Sequence, residues 1–234
     1  MDSINNSCAI ITAAGSGTRL AGDTKKQFLE LGGIPILIRT AGIFFNSPHI
    51  TNVIITAPEE DLEYCKGLML QYFENVGKPY LVLAGGVERQ DSIFGALQRC
   101  KKDTDYVFIH DAVRPFITQD LIDKLYEAVV EFHAVVPASP CKNTIKSVIG
   151  DTIEHTLDRK SLIQVFTPQV FDFKLLLNSY IEAYQKELFC TDDAQIVEAT
   201  GYPVRYLLAS DLNIKITDET DMFFAQQIID KNMI

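Results

Sequence analysis

The sequence predicts an α/β fold in which a mostly parallel sheet is flanked by helices. Two observations carry this. Short apolar runs suited to buried strands alternate with stretches whose apolar residues recur at helical spacing. The glycine, cation and carboxylate clusters fall where those runs end, and open parallel sheets bind ligands beyond the carboxyl ends of their strands. A third feature, an alternating stretch around residues 144–157, predicts a β-hairpin arm projecting from that sheet.

The first apolar run, Cys8-Ala9-Ile10-Ile11-Thr12, empties into Ala13-Ala14-Gly15-Ser16-Gly17-Thr18-Arg19, with Lys26-Gln27-Phe28 shortly after. Gly15 and Gly17 carry no Cβ and tolerate positive φ, so the chain can curl and aim successive N–H groups at an anion. Arg19 offers a planar fork of donors and Lys26 a mobile point charge. A dinucleotide fingerprint needs a third glycine opening a helix, and a P-loop needs Gly-Lys-Ser/Thr after the turn; neither is present. A plain glycine turn with two solvated cations is the competing reading.

Further along, Pro35 suits the first turn of a helix over residues 36–45. A buried strand is expected at 51–57, ended by Pro58, and Glu59 and Glu60 favour the start of the next helix. A third strand at 80–84 breaks at Gly85-Gly86, and Ile93, Ala96, Leu97 and Cys100 mark a helix over 88–100. The loop from Gly85 to Ser92 opens that helix, where free N–H groups can meet a base or phosphate or merely form a loop.

A fourth strand at 105–109 leads into His110-Asp111-Ala112-Val113-Arg114-Pro115. Asp111 stands one residue beyond a strand end, as a ligand for a divalent metal bridging phosphates or as the partner of Arg114. Thr118 caps a helix reaching Phe132, and 134–138 forms a fifth strand. The hairpin, 144–148 and 152–157 around Ile149-Gly150-Asp151, needs something to pack on, such as a second copy of itself. Helices at 172–186 and near 193–200, strands at 202–208 and 213–217, and a closing helix at 218–229 complete the chain. Lys215 between apolar residues of the 213–217 strand is costly unless it faces an anion, which favours a phosphate role over an outward edge position.

A length of 234 residues suits one domain, and a net charge of −10 argues against a general nucleic-acid binder. Five scattered cysteines without a Cys-x-x-Cys pair, no signal-like N-terminus and no membrane-length apolar run lead us to expect a cytoplasmic protein. His49, His110, His133 and His155 have no ligand spacing and read as packed or surface residues. No Ser/His/Asp order or paired-glutamate geometry emerges, so the nucleophile is expected to come from the substrate.

Taken together, the ordered set Ala13 to Arg19, Lys26-Gln27, Gly85 to Arg89, Ser92, His110 to Pro115, Asp158-Arg159, Thr167-Pro168-Gln169, Thr191-Asp192 and Asn213-Ile214-Lys215 resembles the 2-C-methyl-D-erythritol 4-phosphate cytidylyltransferase family. The resemblance runs from about residue 9 to 224 and implies a Rossmann-like sheet within a single nucleotidyltransferase domain over 1–234, with an arm at about 139–160 for homodimerisation. It implies CMP transfer from CTP to a sugar (polyol) phosphate with Mg²⁺. Arg19, Lys26 and Lys215 would be catalytic. Ala13, Ala14, Gly15, Gly17, Gly86, Val87, Ser92 and Ala112 would bind the nucleotide. Arg114, Thr144, Arg159 and Thr167 would bind the sugar phosphate, Thr144 and Arg159 from the partner's arm, and Asp111 would lie near the metal. Lys25 and Val87 depart from the family's usual residues at their positions. A ribitol-5-phosphate cytidylyltransferase shares most of these segments, and Asp158 directly before Arg159 favours the methylerythritol enzyme. A non-catalytic nucleotide-binding module is disfavoured by the presence of both Lys26 and Lys215. No second catalytic domain is expected after Ile234.

Overall fold

The computed structural model describes residues 6–15 and 24–234. Central to it is β1 (Ser7–Thr12), whose residues are buried on both faces because alternate side chains point to opposite sides of a pleat. Ala9 and Ile11 join one apolar cluster, Cys8 and Ile10 the other. A strand buried this way reads as a continuous apolar run, which is what 8–11 is.

The chain continues through a small hairpin, β2 (Glu30–Leu31) and β3 (Ile34–Pro35), into α1 (Ile36–Asn46), β4 (Ile50–Ala57), α2 (Leu62–Phe73) and β5 (Tyr80–Ala84). Next come α3 (Arg89–Leu97), β6 (Tyr106–Asp111), α4 (Gln119–Phe132) and β7 (Ala134–Pro140). The second half holds β8 (Lys146–Ile149), β9 (Thr152–Thr156), β10 (Ile163–Val165), β11 (Gln169–Asp172), α5 (Phe173–Gln185), α6 (Asp193–Glu198), β12 (Arg205–Leu208) and α7 (Glu219–Asp230).

Eight strands make the main sheet, in the order β10-β7-β11-β6-β1-β4-β5, with β12 also on β7. The pairs β1–β4, β1–β6, β4–β5 and β7–β12 are parallel. The pairs of β11 with β6 and β7, and of β10 with β7, are antiparallel. Helices α1, α2 and α4 cover one face through residues such as Phe44, Met69 and Leu125, and α3, α5 and α6 cover the other through Ile93, Tyr180 and Val197.

Local chemistry fixes the helix ends. The Thr118 hydroxyl accepts from Leu121 N at 3.3 Å at the start of α4, and α5, α6 and α7 begin on Asp172, Asp192 and Asp218, each accepting an amide of its own first turn. At the far end of α4, His133 takes the left-handed conformation, φ 63°.

One expectation is corrected, and two strands appear that were not expected. Residues 213–217 are not a strand; they pass beside the loop after β6, with Ile216 N donating to Val113 O at 2.9 Å. Strands β10 and β11, too short for a periodic signal, turn the 163–172 return into antiparallel partners of β7 and β6. The hairpin forms at the expected place as a separate two-stranded sheet, β8–β9, turning at Gly150 with φ 60°. It leaves Val148, Ile149 and Ile153 between 59% and 69% exposed. Among the described residues no helix is long and apolar enough to cross a membrane.

Candidate active site

A cleft of about 380 Å³ opens at the carboxyl ends of β1, β5 and β6, lined by Thr12, Ala13, Ala14, Gly15, Lys26, Gln27, Gly86 to Arg89, Asp111 to Val113 and Lys215. The loop after β1 starts where Ala13 N donates to Thr56 O of β4 at 2.8 Å. It is held from inside by the buried Gln27, whose amide donates to Ala13 O at 2.8 Å and Gly15 O at 3.2 Å. Gln27 sits on a 3₁₀ turn, Lys26–Phe28, which also carries Lys26 into the cleft. Gly15 does not take positive φ, and among the described residues a Cβ there would meet nothing within 4 Å. Ser16, Gly17 and Arg19 lie outside the described residues.

The double glycine after β5 has a different reason. A Cβ on Gly85 would come 2.2 Å from Ala14 Cβ, and one on Gly86 2.3 Å from Asp91 Cβ. The loop after β5 therefore meets Ala14 where it can carry no side chain of its own, and folds against the start of α3 under the same limit. Gly86 N donates to Ser92 Oγ at 3.0 Å, and Ser92, buried in the first turn of α3, donates onward to Glu88 O at 3.1 Å. Ser92 does not line the cleft; it fixes the loop that does. Val87 projects, 95% exposed, at the cleft rim.

Asp111 is the centre of the site. β6 lies beside β1 with Asp111 opposite Thr12, so the two strand ends deliver a carboxylate next to the glycine loop. Lys215 Nζ is 3.0 Å from Oδ2, Arg114 Nε 3.4 Å from the same oxygen, and Arg89 Nε 3.5 Å from Oδ1. Burial alone would raise its pKa, but Arg89, Lys215 and Arg114 together hold the carboxyl well below the usual range. Asp111 is thus ionised throughout the physiological range. Arg89 is itself held by the fully buried Asp193 at 2.8 Å, which also accepts from the Tyr180 hydroxyl. Burial opposes the charged guanidinium, but Asp193 and Asp111 outweigh it and raise its pKa.

Behind Asp111 a ring of hydrogen bonds sets the 110–114 turn. His110 is fully buried, and burial lowers its pKa from 6.5 to about 4, so it is neutral. Its Nε2 lies 3.0 Å from Arg114 O, which only accepts, so Nε2 carries the proton. Nδ1 then accepts from the Thr167 hydroxyl at 3.0 Å, and that oxygen accepts from Asp111 N at 3.1 Å. Thr167 and His110 are therefore packed supports of the turn, and His110 matches its expected packed role.

The structure brings together Ala13, Ala14, Gly15, Lys26, Gly86, Val87, Asp111, Ala112 and Lys215 around the cleft. Arg114 stands just behind, donating to Asn213 O at 2.9 Å and reaching Asp111. Of the two sequence readings of Asp111, the pairing with Arg114 is present, and the carboxylate also faces the cleft. Thr144 and Arg159 flank the hairpin, are exposed, and do not line this cleft; Arg159 donates to Lys142 O at 3.1 Å. Among the described residues Asp158 and Arg159 form no ion pair; Asp158 instead caps a short turn through Lys160 N at 3.1 Å. Thr12, Gln27 and Arg89 line the cleft without having been singled out as site residues. Arg89 and Gln27 adjoin the glycine pair and Lys26, so proximity could have marked them. Asp193 carried no local signal.

Comparison with known proteins agrees along nearly the whole chain. The family model described as IspD, 2-C-methyl-D-erythritol 4-phosphate cytidylyltransferase, matches residues 7–231. A protein of that name from Halalkalibacterium halodurans is 40% identical over 220 residues, covering 94% of this chain and 95% of the relative. One from Alkaliphilus oremlandii is 35% identical over 231 residues, covering 98% and 97%. The crystal structure of 4-diphosphocytidyl-2C-methyl-D-erythritol synthase from Anaerococcus prevotii superposes with a TM-score of 0.85 at 29% identity, covering 97% of this chain and 99% of that one.

Proposed function

The chain belongs to the 2-C-methyl-D-erythritol 4-phosphate cytidylyltransferase family, and from that membership we infer the reaction its cleft performs. It transfers CMP from CTP to 2-C-methyl-D-erythritol 4-phosphate and releases pyrophosphate, a step of isoprenoid precursor biosynthesis. The observation that carries this reading is the convergence of Lys26, Arg89 and Lys215 on one cleft, beside an ionised Asp111 and two closely packed glycine-bearing loops, in a protein of net charge −10. Local cations in an acidic molecule draw a polyphosphate to one place.

The acceptor's phosphate monoester is already anionic, so no general base is needed. One of its oxygens attacks the α-phosphorus in line; the new P–O bond forms as the bond to the β-phosphate oxygen breaks, and pyrophosphate leaves with the electron pair. The protein's part is positioning and charge neutralisation. In our assignment Ala13, Ala14, Gly15 and Gly17 wrap the triphosphate, and Arg19 and Lys26 neutralise it. Lys215 meets the α-phosphate and the attacking oxygen, and Gly86, Val87 and Ala112 form the base end, with Ser92 acting from behind by fixing Gly86 N. That no described residue stands within 4 Å of where a Gly15 Cβ would lie supports a close backbone approach to an anion.

Mg²⁺ belongs to the same proposal. Among the described residues no three His, Cys, Asp or Glu side chains group as metal ligands, while Asp111 offers one ionised carboxylate at the cleft. That donor set suits Mg²⁺, which takes one or two carboxylates and fills its remaining positions with phosphate oxygens and water. Bound there it would neutralise charge developing on the phosphates.

Arg114 holds the acceptor side in this reading, on the turn that Thr167 sets from behind, and Thr144 and Arg159 reach a neighbouring copy's cleft from the arm at about 139–160. The exposed apolar residues of that arm support a homodimer, built from one nucleotidyltransferase domain over 1–234. A cytoplasmic location is supported by the five free cysteines.

Incubation with CTP, Mg²⁺ and either methylerythritol phosphate or ribitol 5-phosphate, followed by pyrophosphate measurement, tests the reading. Release with the first acceptor alone is expected, and Lys26→Ala or Lys215→Ala should lose about 3 kcal/mol of transition-state stabilisation, on the order of a hundredfold in rate. Release with ribitol 5-phosphate alone would overturn the acceptor. CTP binding without turnover would overturn the reaction itself.

A further inference from the structure

The turn that carries Lys26 into the cleft is tied down on its outer side as well. Lys25 immediately precedes it, with its side chain only 20% exposed and its carbonyl accepting from Phe28 N at 2.9 Å. The Lys25 ammonium pairs with Glu60 and lies 2.7 Å from Asp61 Oδ2, both on the turn leading into α2. At the other end of the same three residues, Phe28 meets Tyr64 of α2 edge-on, with ring centroids 5.1 Å apart. Gln27 holds the inner side through Ala13 O and Gly15 O. Neither Glu60, Asp61 nor Tyr64 lines the cleft.

We propose that Lys25 is a positioning residue for Lys26, clasping the 26–28 turn to α2 through Glu60 and Asp61. The inference rests on the reading of the cleft as a CTP site. A cation on so short a turn holds the triphosphate only if the turn stays in place, because small displacements cost much of the benefit. Ring packing and the Gln27 bonds restrain the turn at its middle and far end, and the ion pair restrains the end at which the chain enters.

The rival account makes Lys25 a reserve phosphate ligand held by two acids, and it predicts the opposite sign in one variant. Removing both negative charges with Glu60→Gln/Asp61→Asn would release Lys25 toward the triphosphate and make the local field more favourable to it, so CTP would bind more tightly. If the two acids serve as the clasp, their loss weakens CTP in spite of that more favourable field.

The test uses the full chain and two readouts. Equilibrium titration and steady-state kinetics with CTP and Mg²⁺ should show a KM for CTP raised about tenfold in Lys25→Met and in Glu60→Gln/Asp61→Asn, with kcat within about threefold and Lys25→Arg near wild type. Without nucleotide, amide hydrogen exchange over residues 24–29 should rise about tenfold in the same two variants, with an unchanged melting temperature. Tighter or unchanged CTP binding by Glu60→Gln/Asp61→Asn would overturn the proposal. Unchanged exchange would overturn it whether or not CTP binds, while a wild type that binds no CTP would overturn the reading of the cleft.

Discussion

At the scale of single residues, this protein uses burial to decide what each charged group does. Asp111 stays ionised because three cations outweigh its desolvation, whereas His110, one residue earlier and equally buried, stays neutral because burial outweighs the Arg114 carbonyl and the Asp111 charge that favour its protonated form. That contrast makes a pH prediction. An unfolded imidazole takes up its proton near 6.5, the folded one only near 4, so between those values the unfolded chain binds more protons. The stabilisation is complete above 6.5 and is lost as pH falls toward 4. It amounts to about 2 kcal/mol lost by pH 5, from the standard linkage relation. Urea unfolding at pH 7.5 and 5 should show this loss in the wild type and not in His110→Gln, whose amide can both donate and accept. Equal losses in both would show that His110 does not titrate as its burial requires. Asp111 does not contribute in this window, since a depressed carboxylate loses its contribution only at lower pH.

At the scale of elements, the site is a set of strand ends brought into register. Because β1 lies between β4 and β6, the glycine loop and Asp111 emerge side by side, and the loop after β5 closes against Ala14. The contact at Gly85 is where these elements are least forgiving. Gly85→Ala should cost about 1–3 kcal/mol by overpacking, and because the strain falls on Ala14 it should weaken CTP binding as well. A thermal melt with a parallel CTP titration checks both. Lost stability with normal CTP binding would mean that the two loops do not act as one surface. The second glycine and Ser92 were legible in the sequence as a loop opening a helix; that Ser92 turns inward to hold Gly86 was not, because a hydroxyl's partner depends on the neighbouring turn.

At the scale of the whole molecule, a sheet buried on both faces leaves function to its carboxyl edge and to the arm. The arm's Val148, Ile149 and Ile153 are too exposed for a hairpin that stands alone, since two strands without a packing partner are marginally stable. Replacing all three by Ser should convert a dimer to a monomer by sedimentation at micromolar concentration while far-UV circular dichroism of the sheet and helices persists. A wild type that sediments as a monomer would remove the arm's proposed role, and Thr144 and Arg159 would lose their route to a second cleft.

The sequence alone determined most of the element order, the glycine loops, the cap at Thr118, the hairpin and the family, because apolar periodicity, turn residues and ordered motifs are local properties of a chain. Tertiary structure decided the rest. It made 163–165 and 169–172 into antiparallel strands and 213–217 into an irregular segment beside the site rather than a strand. It also brought Arg89 and Lys215 to Asp111 and Lys25 to Glu60 and Asp61. Those pairings join residues 22 to 104 positions apart, and no local propensity encodes a partner at that distance; only the packing of the sheet and its helices does.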